Sequence, residues 1–78
     1  MYLAIKKVKP LENYILQLTF ENGEERSFDM KPLLDFGIFK ELKDKAKFKS
    51  VRVSFDTIEW ENEIDLDPEF LFNNSSPV

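Results

Sequence analysis

Phe20-Glu21-Asn22-Gly23-Glu24 divides two alternating runs, and the phase of those runs leaves one workable pairing. Tyr14, Leu16, Leu18 and Phe20 fall on one face of the first run, and Phe28 and Met30 share a face of the second. A two-residue Asn22-Gly23 loop would set Leu18 opposite Ser27 and Leu16 opposite Asp29. That splits the apolar sets, because strand side chains alternate and a one-residue slip reverses a whole face. A three-residue loop, Glu21-Asn22-Gly23, sets Leu18 opposite Arg26 and Leu16 opposite Phe28. The apolar sets then coincide. The spacing predicts a hairpin with Gly23 in the left-handed conformation of a bulge.

Upstream, Tyr2 to Lys9 reads as another strand, punctuated by Pro10-Leu11-Glu12-Asn13. Its alternation is imperfect: Leu3 and Ile5 share one face, while Tyr2, Ala4 and Val8 share the other. Burial on both sides near its start is expected. After Met30 the period changes. Pro32 suits the first position of a helical turn through Leu33, Leu34 and Asp35. Beyond Gly37, the residues Ile38, Phe39, Leu42 and Ala46 recur at helical spacing, with Lys40, Lys43 and Lys47 on the other side. Val51, Val53 and Phe55 alternate again, and a turn centred on Asp56-Thr57 would pair Phe55 with Ile58 and Val53 with Trp60. Thr disfavours positive φ, so a four-residue loop on a type I turn is expected there. Asp67-Pro68-Glu69 carries a helix cap, a first-turn proline and a first-turn acid. A short helix, Pro68 to Phe72, follows, and residues 73–78 are expected to fray.

Seventy-eight residues make one domain. Its core is expected to hold Phe20, Phe28, Phe39, Leu42, Val51, Val53 and Phe55, with Trp60 in phase with them. The chain has no Cys and no His, which removes disulfides, thiolate chemistry, Ser-His-Asp triads and His-based zinc sites. Its two glycines, Gly23 and Gly37, cannot write a phosphate-binding loop or a dinucleotide fingerprint. No apolar run approaches the roughly 18 residues of a membrane span. The first residues place their charge after the apolar ones, the wrong order for a signal peptide. A cytoplasmic protein is expected.

Charge is unevenly spread. Residues 1–55 hold eleven basic and eight acidic residues, whereas residues 56–78 hold seven acids and no base. Glu59, Glu61, Glu63 and Asp65 alternate with apolar or neutral residues around Trp60, which reads as a charged outer strand face. Such a face either keeps an edge strand soluble or docks a basic protein partner. A carboxylate pair such as Asp65 and Asp67 is the raw material of acid–base chemistry or a hard-cation site. As a calcium loop the segment fails, because Ile58 and Trp60 fall where oxygen ligands are required. Asp67 already has a structural role as a cap. Lys40, Lys43 and Lys47 could meet phosphates, yet Glu41 and Asp44 interrupt them and the net charge of −4 works against non-specific nucleic-acid binding.

Taken in order, Phe20-Glu21-Asn22-Gly23-Glu24, Phe28-Asp29, Leu33-Leu34, Gly37-Ile38-Phe39, Leu42, Phe48, Val51-Arg52-Val53, Ile58-Glu59-Trp60 and Ile64-Asp65-Leu66 resemble the domain-of-unknown-function 2442 family of small bacterial proteins. The resemblance runs from about Ile5 to Leu71. Glu61-Asn62-Glu63 stands where that family reads Pro-Asn-Gly, so Asn62 is expected to serve where Gly would. The resemblance implies a small two-layer α+β domain and a toxin–antitoxin-like pairing with a small neighbouring protein. It implies no catalytic residues.

These observations together predict a single α+β domain over residues 1–72 with a flexible tail, 73–78. A mostly antiparallel sheet of about five strands carries one main helix, Ile38–Ala46, on one face, with a short C-terminal helix. The open face and edges predict a homodimer. The functional expectation is a non-enzymatic interaction or regulatory module, antitoxin-like, needing no cofactor or metal and binding no membrane. Its partner-binding residues would be Glu59, Glu61, Glu63 and Asp65. The alternatives are a nucleic-acid-associated regulator using the lysine face and, third, a small enzyme using carboxylates.

Overall fold

The computed structural model describes residues 3–78, apart from the Asn62 side chain. Two antiparallel sheets and several short helices share one core. The first sheet has the order β1-β2-β3-β7, from Ile5–Leu11, Ile15–Phe20, Glu25–Asp29 and Ser76–Pro77. The second has the order β4-β5-β6, from Arg52–Ser54, Thr57–Trp60 and Ile64–Leu66. The class is α+β and antiparallel, as the patterning predicts. The single five-stranded sheet is not what forms.

The first hairpin follows the phase argument. Leu18 pairs with Arg26 and Leu16 with Phe28. Gly23 takes φ 90, and its N–H donates to the Phe20 carbonyl at 2.9 Å. Asn22 Oδ1 accepts from the Glu24 N–H at 2.9 Å, which holds the chain in the turn. Leu16, Leu18, Phe20, Phe28 and Met30 are all buried together.

Strand β1 is shifted from the Tyr2–Lys9 expected, and Tyr2 lies outside the described residues. Ala4 and Ile5 are both buried, and the register slips between Ile5 and Lys7. That bulge accounts for the imperfect alternation. Pro10 lies inside the strand, which is possible because an edge strand has one side with no ladder to interrupt. The chain turns at Asn13 and Tyr14, both left-handed (φ 61 and 60), so Tyr14 leaves the strand face expected for it.

The expected Ile38–Ala46 helix is replaced by two pieces. A 3-10 helix spans Gly37–Lys43, and α1 spans Lys45–Phe48. Asp44 lies between them in extended conformation (φ −70, ψ 117), its carboxylate accepting from the Ala46 and Lys47 N–H groups. An Asp that bonds the backbone in this way ends one helix and caps the next. Leu42 and Phe48 are the buried residues of this segment, while Ile38 and Ala46 are exposed.

The second sheet also departs from expectation. Its first turn is Phe55-Asp56, both left-handed (φ 49 and 69), and Ser54 pairs with Thr57. Thr57 is kept out of positive φ, as its branched side chain requires, and the tight turn sits one residue earlier. Val53 then faces Ile58, and Phe55 is left 96% exposed instead of entering the core. Phe39 and Val51 are only partly buried, and Val53 is exposed. Trp60 is 1% exposed, and its Nε1–H donates to the Phe48 carbonyl at 3.0 Å.

Helix α2, Pro68–Asn73, is capped as the sequence predicts: Asp67 Oδ1 accepts from the Glu69 N–H at 2.7 Å. The segment expected to fray instead docks on β3. Ser76 pairs with Ser27, and Arg26 donates from Nε to Ser75 Oγ and from Nη2 to the Ser75 carbonyl, each at 2.7 Å. The Arg26 guanidinium also stands 4.4 Å from the centre of the Phe72 ring, a cation–π contact.

Candidate interaction site

The acidic residues are positioned by the buried residues between them. Ile58, Trp60 and Ile64 face the core, so period-two alternation turns Glu59 and Asp65 outward. The chain does not continue as one strand. A turn of 3-10 helix, Glu61–Glu63, folds β6 back on β5, and the left-handed backbone expected at Asn62 falls on Glu63 (φ 62). Glu59 and Asp65 become direct cross-strand partners, and Glu61 and Glu63 are exposed at the connecting turn. The four acids share one hairpin, but as an opposed pair and a tip in place of the single row expected.

Two like charges facing each other across a ladder destabilise it. Arg52, opposite Glu59 on β4, offsets part of this, with Nη2 3.4 Å from Glu59 Oε1. The arginine side chain is more than half exposed, so the bridge contributes little, about 0–1 kcal/mol. Among the strand residues of this sheet the charged ones are Arg52, Glu59 and Asp65, so the face keeps a net negative charge.

The lysines are not gathered on one helix face. Lys40 and Lys43 belong to the 3-10 helix and Lys47 to α1. Lys43 Nζ lies 2.8 Å from Asp35 Oδ1, and Lys47 Nζ 3.5 Å from Glu41 Oε1. The hydrogen bond and charge of Lys43, with a smaller contribution from Lys40, hold the Asp35 carboxyl below its ordinary range.

One feature escaped the sequence reading. A cleft of about 290 Å³ opens beside the Glu12–Asn13 turn, with apolar lining from Leu11, Tyr14 and Phe48 and charged lining from Glu12, Lys31, Lys45 and Lys49. Tyr14 and Phe48 meet edge to face at 5.2 Å, and the Tyr14 hydroxyl donates to the Lys43 carbonyl. The residues come from three separate segments, so no local spacing announces them. Among the described residues, no group of three acidic side chains is arranged to hold a metal ion, and no helix is long and apolar enough to cross a membrane.

Fold and site define a small α+β domain of two antiparallel sheets that presents charged surfaces. A family model matches residues 5–77, nearly the whole chain, and the chain belongs to that family, described as protein of unknown function (DUF2442). No curated protein matches the chain, and no solved structure matches it.

Proposed function

We propose that this chain is a non-enzymatic interaction or regulatory module of the bacterial cytoplasm, antitoxin-like in serving as the partner of another small protein. It docks a basic protein through the acidic hairpin of β5 and β6. One observation carries the reading: Glu59 and Asp65 are cross-strand neighbours, with Glu61 and Glu63 at the turn between them. This arrangement costs the free domain stability, and a cationic partner relieves the repulsion. Charge complementarity of this kind sets association rate and partner choice more than affinity. The lysine-face alternative has weaker support, because Lys43 and Lys47 lie beside Asp35 and Glu41.

The test begins with co-purification of the tagged protein from its native host, neighbouring genes intact. Glu61→Lys, Glu63→Lys and Asp65→Lys are then combined, leaving Glu59 with Arg52, and calorimetry against the captured protein is run at two salt concentrations. The expected result is a loss of at least about tenfold in affinity and a flatter salt dependence. Unchanged affinity and salt dependence in a folded variant would mean that the acids only keep the hairpin solvated.

A further inference from the structure

Phe55 is doubly costly where it stands. Its ring is 96% exposed, and its backbone is left-handed (φ 49), a conformation that suits Gly or Asn far better than an aromatic residue. A strained, exposed aromatic at the tip of a tight hairpin has the form of an anchor awaiting a pocket. The aromatic-lined cleft beside Tyr14 and Phe48 is such a pocket, with room for a six-membered ring and a ring pair for it to extend. Lys31, Lys45 and Lys49 outnumber Glu12 among its charged lining, although Lys31 Nζ lies 3.1 Å from Asp29 Oδ1, and the chain that follows Phe55 is the acidic segment, 56–78. The cleft has the volume to take the ring, and its lysines are opposite in charge to the acids around the knob.

They cannot meet within one molecule. The Ile5 N–H donates to the Asp56 carbonyl at 2.8 Å, which ties the Phe55 tip to the start of β1. Leu11, at the other end of the same strand, lines the cleft. Six strand steps separate them, about 20 Å. A second copy lying antiparallel to the first satisfies both ends at once, as a closed two-fold pair requires. We propose that this chain forms a two-fold dimer in which each copy inserts Phe55 into the Tyr14–Phe48 cleft of the other. The proposal does not need the acidic-hairpin reading: its anchor is Phe55, and the acids of residues 56–78, that hairpin's among them, add only attraction toward the cleft lysines.

Sedimentation equilibrium of the full chain from about 1 μM to about 1 mM tests it. The parent chain is expected to pass from monomer to dimer with no larger species. Phe55→Gly, which keeps the turn because Gly accepts its backbone, should raise the dissociation constant at least about tenfold. Lys45→Glu with Lys49→Glu should do the same. Mixing the two variants should then restore part of the association, because the glycine chain still has an intact cleft and the glutamate chain an intact Phe55. Circular dichroism confirms that both variants fold. The proposal is overturned by a parent chain that stays monomeric, by higher oligomers, by a dimer indifferent to Phe55→Gly, or by weakened variants whose mixture regains nothing.

Discussion

The two sheets of this domain solve the same problem with different resources. In the first sheet β1, β2 and β3 run five to seven residues, with the two-residue β7 at its edge. Its β2–β3 turn places Gly where φ is positive, and β2 and β3 bring apolar faces into coincidence. The β4–β5–β6 sheet has strands of three or four residues, with Phe55, Asp56 and Glu63 in left-handed backbone at its turns. It also sets Glu59 against Asp65. Local propensity and global fold agree at the β2–β3 turn and conflict at both turns of the second sheet, as they also do at the β1–β2 turn, where Asn13 and Tyr14 are left-handed. Proteins tolerate such conflict where a surface serves something besides folding, which is why the interaction residues are sought in the second sheet.

If the second sheet is nonetheless integral to the core, its anchor should rank among the most sensitive positions. Trp60→Ala removes a fully buried ring and the shorter of the two hydrogen bonds to the Phe48 carbonyl, leaving it the Val51 N–H at 3.4 Å. A loss of about 3–5 kcal/mol is expected, measured by urea unfolding. Trp60→Phe should cost less, since it keeps most of the packing. A loss of under about 1 kcal/mol for the alanine variant would mean that the second sheet folds as an appendage.

The connector between the sheets comes next. Leu42, 1% exposed, is the buried residue of the 3-10 helix. Leu42→Ala should destabilise by about 2–4 kcal/mol in the same assay. Asp44→Ala, which uncaps α1, should cost nearer 1 kcal/mol. A similar cost for both would mean that the connector is held by its caps more than by its apolar contact.

A matched pair of turn variants bears directly on the contrast. Gly23 has open space where a Cβ would project, so Gly23→Ala tests backbone strain alone and should cost about 1 kcal/mol. Phe55→Gly relaxes the same kind of strain while removing almost no buried surface. It should leave monomer stability unchanged or raise it by up to about 1 kcal/mol. Opposite signs support the distinction between a turn whose sequence fits its backbone and one whose sequence does not. A loss of 1 kcal/mol or more in both variants would erase it.

That distinction also explains what was legible in the sequence. The Gly23 hairpin, the buried Trp60 and the Asp67-Pro68 cap were readable because each obeys its local rule. Helical spacing of apolar residues predicts a continuous helix over Ile38–Ala46, but that spacing says nothing about Asp44 claiming two backbone N–H groups. The turn at Phe55-Asp56 is not legible in the sequence, because no propensity puts Phe at positive φ. The docked tail needed Arg26, 49 residues away from Ser75, and no local pattern carries that contact. For the candidate site, alternation identified the four acids but not their arrangement, since a turn inside an alternating run keeps the alternation.

The smallest effect concerns the ion pair that straps the connector. Lys43 Nζ stands 2.8 Å from Asp35 Oδ1, and its hydrogen bond and charge hold the Asp35 carboxyl below its ordinary value of 3.8. A carboxylate depressed in the folded state binds its proton less readily there than in the unfolded chain. Its contribution to stability is therefore present above the unfolded value and is lost as pH falls through the lower folded one. Both side chains are largely solvated, so the contribution is slight and shrinks with added salt. Carbon-detected NMR titration should find Asp35 below the ordinary range in the parent chain and returned toward it in Lys43→Gln. The sheets themselves should not respond, because the pair lies outside both of them. Chemical-shift changes spreading into β2 or β5 on Lys43→Gln would instead mean that the strap couples the two sheets, and the contrast between them would have to be redrawn around the connector.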